Sequence, residues 1–145
     1  MLNRSKDKRM KTAVVIVLMF FSAVIFASEI INSKSIDIGS GLREVKTAEK
    51  LNNSSEKITN HRYLYHKDRK LSQISYFSIS PSGTYIVYVS LPDGIIHLYS
   101  TDEKLDTKLT NKFIAPIKKI TWNETFEIVT INFSGKNPPQ NFALE

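Results

Sequence analysis

The stretch FSISPSGTYIVYVSLPDGIIHLYSTDEKL, Phe77 to Leu105, decides the fold. It sits among three runs rich in Ile, Val, Tyr and Phe, Gln73–Ser80, Thr84–Ser90 and Ile95–Ser100. These side chains suit a pleated, half-buried surface. Pro81-Ser82-Gly83 separates the first two runs and Leu91-Pro92-Asp93-Gly94 the next two. Pro presets φ, Asp bonds back to the backbone, and Gly takes the positive-φ position, so each is a tight reversal. Strands joined by loops this short run antiparallel. The stretch predicts a β-meander.

The period-two signal extends both ways. Upstream, Tyr63 and Tyr65 alternate with Arg62, Leu64 and His66. Downstream, Phe113–Thr121 and Thr125–Phe133 read as two strands around Trp122-Asn123-Glu124. A mainly β domain is therefore expected over 61–134, followed by a C-terminal tail at 135–145. One sheet face should bury Phe77, Ile79, Val87, Ile96, Leu98, Ile120 and Ile128, or their alternating neighbours, each contributing about 1.5–3 kcal/mol. Residues 28–60 are polar and read as a linker or packing segment. Within them Ser35-Ile36-Asp37-Ile38 alternates like a short strand and Gly39-Ser40-Gly41 marks a turn. The spacing Leu42, Val45, Ala48, Leu51 predicts a short helix over 42–51, with Glu44, Lys46, Glu49 and Lys50 on its other side.

At 145 residues, 41% of them apolar, the chain suffices for one domain. Its formal charge of +6 is unevenly placed. Residues 1–27 carry five Lys/Arg against Asp7, a net +4, and the rest 15 Lys/Arg against 13 Asp/Glu, a net +2. Nucleic-acid binding loses its electrostatic support. From Thr12 to Ser28 run 17 residues without a charge, behind Arg4, Lys6, Lys8, Arg9 and Lys11. As a helix that run spans about 25 Å, short of the ~30 Å hydrocarbon core. A basic cluster, a short apolar run and then Ala27-Ser28 describe a secretory signal over 1–27, with Met10 a second start. If uncut, the run is an N-terminal membrane anchor, and 12–28 is the chain's membrane contact. Either way the positive flank stays inside and the β domain is exported, to the periplasm or cell exterior. No cysteine offers a disulfide or a lipid attachment site.

A shift of 41 residues lays Ile79–Val87 onto Ile120–Ile128, pairing strand end, turn, Thr, aromatic and aliphatics. With its Ser-Pro-x-Gly turn, second strand, Asp-Gly turn and third strand, the span 73–133 resembles a blade of a WD-repeat or related β-propeller. Tyr99-Ser100 stands where that family closes its third strand with Trp-Asp, and no Gly-His opens the unit. A closed propeller takes at least four blades, more than the 118 residues after the leader supply. Separately, Ser82-Gly83-Thr84-Tyr85 resembles the Ser-Gly-x-Tyr loop of periplasmic inhibitors of invertebrate-type lysozymes. That resemblance implies that Ser82 and Tyr85 enter a lysozyme cleft.

Catalytic chemistry finds little footing. His61, His66 and His97 are the only histidines, and 61 and 66 fall on opposite faces of a strand. No metal site is expected. No nucleophile elbow, His-Glu-x-x-His motif or phosphate loop is present, so no enzyme and no cofactor is expected. His97, between Ile96 and Leu98, reads as a half-exposed sheet residue. One basic-aromatic patch remains, His61 to Lys70, whose Arg62, Tyr63, Tyr65 and His66 offer a contact surface for an acidic partner, anionic lipid or anionic glycan. The same letters also describe an edge strand whose charges discourage sheet pairing. The expected function is a non-catalytic protein-binding module, by strand addition or surface docking. The alternatives are a lysozyme inhibitor acting through Ser82–Tyr85 and an oligomerising structural β module.

Overall fold

A computed structural model describes residues 28–51 and 58–144; the leader expected over 1–27 lies outside them. The described chain is mainly β and antiparallel. Seven strands follow one another in a single meander: β1 (Ser28–Gly39), β2 (Leu42–Leu51), β3 (Ile58–His66), β4 (Arg69–Ile79), β5 (Tyr85–Ser90), β6 (Ile96–Ser100) and β7 (Asp106–Lys108). A second sheet holds β8 (Ile117–Asn123), β9 (Ile128–Phe133) and β10 (Gln140–Ala143), with β9 in the middle.

Both reversals of the opening stretch form as read. Gly83 and Gly94 take φ of 78° and 69°. Asp93 Oδ1 accepts from the Ser90 hydroxyl at 2.6 Å and from the Ile95 amide at 3.3 Å. A β-carbon on Gly94 would stand 2.9 Å from the Phe113 ring, so that turn carries glycine for packing as well as for φ.

The expected helix over 42–51 is overturned: it is β2, a strand paired on both sides. Ser40 and Gly41 both take positive φ, 52° and 73°, which two-residue hairpins of the primed type require. That turn folds β2 back on β1, and the ladders on both sides outweigh the modest helix preference of Leu, Glu, Lys and Ala. Residues 28–51 are thus part of the main sheet rather than a linker. The tail also carries structure, because β10 pairs with β9 and Leu144 is buried. Trp122-Asn123-Glu124 leads into a 3-10 turn, Glu124–Phe126, capped by the Asn123 side chain. The strand expected from Phe113 begins only at Ile117, and Phe113 is exposed.

The single buried face is corrected to two. Ile86, Tyr88 and Tyr99 lie in one cluster with Leu42, Leu64 and Ile74, joined by Phe77 and Ile79. Val87, Val89, Ile96 and Leu98 lie in another with Val129, Ile131, Phe133 and Leu144. Alternate residues of β5 and β6 therefore serve opposite faces, one covered by β2 and β3, the other by the β8–β10 sheet. The reason is the composition of β5: Tyr85-Ile86-Val87-Tyr88-Val89 has no polar alternation, and both its faces must leave water.

Asp106 gathers two polar side chains inside this stack. The Tyr88 hydroxyl donates to Asp106 Oδ2 at 2.6 Å, and His97 Nδ1 donates to Asp106 Oδ1 at 3.0 Å. His97 also stacks on Tyr88 at 4.8 Å between ring centroids, so it is more enclosed than the half-exposed residue expected. Burial alone would raise the Asp106 carboxyl; the hydrogen bonds from His97 and Tyr88 outweigh it and hold the group below the usual carboxylate range.

His66, expected on a contact surface, is buried instead, with Nδ1 hydrogen-bonded to the Tyr99 hydroxyl at 2.7 Å. Burial lowers its pKa, reinforced by Lys67, Lys104 and Arg69 and opposed by Asp102. The folded protein therefore favours the neutral ring, while the unfolded chain titrates near ~6.5. The resulting stability is complete above about pH 6.5 and is lost as pH falls through the lower folded value. Thermal stability should thus fall between about pH 7 and 5 more steeply in the native protein than in His66→Gln, whose amide can still bond Tyr99. Equal slopes would exclude His66 as the cause.

Candidate binding surface

β1 to β3 form a three-stranded ribbon joined to the rest through β4. Its two faces differ because side chains alternate along each strand. The inward face begins with Leu42, Leu64 and His66, buried toward β5 and β6. One step further stand Ile36, Glu44 and Leu64, directly opposite one another across the three strands. The next row is Lys34, Lys46 and Arg62.

Three cations in direct cross-strand register repel, which ordinarily destabilises a sheet. One carboxylate offsets them. Glu44 is buried and accepts from Arg62 Nε at 2.5 Å, with Lys46 Nζ at 3.5 Å. Arg62 is further held by the Ser75 carbonyl at 2.9 Å and lies over the Phe77 ring at 5.9 Å. Lys46 keeps about half of its side-chain surface, 49%, in water, and Lys34 is exposed. Beyond the row stand Asn32, Ala48 and Asn60. Together these residues line an open concavity of about 370 Å³. The Thr47 hydroxyl, on its border, is buried and has no hydrogen-bond partner among the described residues. The concavity therefore offers a row of positive charge and amide groups, with Glu44 beside the row and Glu49 3.7 Å from His61, which also lines it.

The outward face is aromatic. The guanidinium of Arg43 lies 4.6 Å from the Tyr65 ring centre, and Lys70 Nζ lies 3.8 Å from that of Tyr63. His61 stacks on Tyr63 and bonds Gln73 at 2.9 Å. Burial pushes the Tyr63 hydroxyl up, with Glu49 and Tyr65 adding to it. These cations are spent on rings within the sheet, so the face is largely self-satisfied.

The four residues read as one patch are thus divided. Tyr63 and Tyr65 share the outward face; Arg62 and His66 point inward, Arg62 into the cationic row and His66 into the core. Ser82 shares one small concavity with His66, lined also by Ser40, Lys67 and Asp102. The Ser82 amide and hydroxyl both bond Glu124 Oε1, which ties the turn to the 3-10 segment and holds the Glu124 carboxyl low. Tyr85 packs against the second core cluster. Lys34 and Lys46 escaped the sequence reading because one sat in a supposed linker and the other on a supposed helix.

The ribbon also ends in an open edge. β1 is the first strand of its sheet, 12 residues long, and among the described residues nothing pairs with its outer side. Ile30 and Ile31 near its start are exposed. Among the described residues no group of three or more acidic or histidine side chains converges as metal ligands, and no helix is long and apolar enough to cross a membrane. Compared with family models, with curated proteins and with solved structures, the chain matches none.

Proposed function

We propose that this is an exported, non-catalytic binding module that holds an acidic protein partner on the inward face of the β1–β3 ribbon. The observation that carries the reading is the row Lys34–Lys46–Arg62, three cations in register beside a single carboxylate. A sheet that keeps such a row gives up stability which an anionic partner restores on binding. A protein is favoured over a lipid headgroup because the row ends at β1, whose open backbone suits a polypeptide. Ser82 is engaged by Glu124 and Tyr85 by the core, which supports placing the contact here rather than on that turn. Export rests on the basic leader and its apolar run. The four strands β4–β7, with their Ser-Pro-x-Gly and Asp-Gly turns, support a blade-like reading of the scaffold that presents the ribbon.

Lys34→Ser separates binding from folding. With one cation removed, the free protein should gain about 0.2–1 kcal/mol, because the repulsion across the row is relieved. Affinity of the full chain, in neutral detergent, for poly-L-glutamate should fall about tenfold, one charge-assisted contact. Binding in both forms should weaken with added salt. Unchanged affinity in Lys34→Ser would overturn the reading. Binding to phosphatidylglycerol vesicles without binding to polyglutamate would transfer it to a membrane surface.

A further inference from the structure

We propose that the partner enters as an added β-strand along the outer edge of β1, and that its alternate side chains are acidic where they meet Lys34. This rests on the anionic-partner reading above and adds the mode of binding. Among the described residues the outer side of β1 is unpaired, and between its irregularities at Ile31 and Ile38 it leaves a regular row of backbone donors and acceptors. A strand laid there continues the ladder that already runs from β3 through β2 to β1. Register then dictates chemistry: the residue opposite Lys34 becomes the fourth member of the row Arg62–Lys46–Lys34, on the inward face. A fourth cation there is repelled and an Asp or Glu is attracted. Two residues to either side, the incoming strand meets Ile36 and Asn32, which favour an apolar and a polar side chain. Its other face passes Ser33 and Ser35, which set no charge preference.

A second copy of the chain is the weaker occupant. Among the described side chains of β1 the one carboxylate is Asp37, which already accepts from the Gly39 amide at 2.9 Å.

The test uses the full chain in neutral detergent and two synthetic peptides of one composition, with Glu either at every second position or in one block. Strand addition expects the alternating peptide to bind at least tenfold more tightly. Two further versions of it carry N-methyl groups on the odd or on the even residues. Only one set of amides faces β1, so one version should lose binding at least tenfold and the other should keep it. Lys34→Glu should reverse the preference to a peptide with Lys in place of Glu. If all peptides bind equally and both methylated versions match the parent, strand addition is overturned while the anionic site stands. If no acidic peptide binds, both readings fall. A concentration-dependent dimer in light scattering that the peptide does not dissociate assigns the edge to a second copy and overturns the proposal.

Discussion

Ile86→Ala and Val87→Ala, made separately, should each destabilise the protein strongly: about 2–5 kcal/mol for the first and at least about 1.5 kcal/mol for the second. The two residues are neighbours on β5 and point to opposite faces, and each is fully buried. Ile86 packs with Leu64, Ile74 and Tyr99; Val87 packs with Leu98, Val129 and Ile131. In a two-layer protein one neighbour of such a pair faces water, and its truncation costs within about 0.5 kcal/mol. Urea unfolding of both variants decides the matter. A large loss in one and none in the other would mean that one covering layer does not pack on β5. Because the two side chains feed different clusters, the double variant should lose close to the sum of the two.

Glu44→Gln carries the second large effect. The carboxylate is buried and serves Arg62 and Lys46 together, so its neutral amide leaves three aligned cations with no counter-charge. Removing one partner of a fully buried pair costs about 3–5 kcal/mol. Arg62 and Lys46 are each more than a third exposed, 39% and 49%, and water repays part of that. The expected loss is about 1–3 kcal/mol, the cost of leaving a buried hydrogen-bonding group without its partner. Adding Lys34→Ser to Glu44→Gln should return part of it, and poly-L-glutamate should stabilise Glu44→Gln more than the native protein. A salt-independent loss that neither change repairs would make Glu44 a packing residue only.

Much of the β-meander could be read from local chemistry. The reversals at Pro81-Ser82-Gly83 and Leu91-Pro92-Asp93-Gly94 carry their own geometry, and the runs between them have no use for a helical period. β7 and β10 escaped notice because three and four residues of mixed polarity hold no period; they are strands because a neighbouring strand pairs with them. β2 was misread for a different reason. Its inward face runs Leu42, Glu44, Lys46, and a buried glutamate looks like a solvent residue until Arg62, 18 positions away, is set beside it. His66 was misplaced likewise, its partner Tyr99 lying 33 residues downstream.

The residues themselves determine that this chain builds antiparallel sheets, where its reversals fall, and that β5 has no polar face to offer water. Those properties follow from the φ preferences and hydration of each residue and its immediate neighbours. The cationic row is different in kind. The hairpin closes with Gly39 opposite Leu42, and continued without interruption it would set Lys34 opposite Thr47. A one-residue shift between Asp37 and Gly39, braced by the Asp37 carboxylate on the Gly39 amide, moves Lys34 opposite Lys46. Side chains change face with every residue of register, so only the assembled ladder could decide which three cations meet.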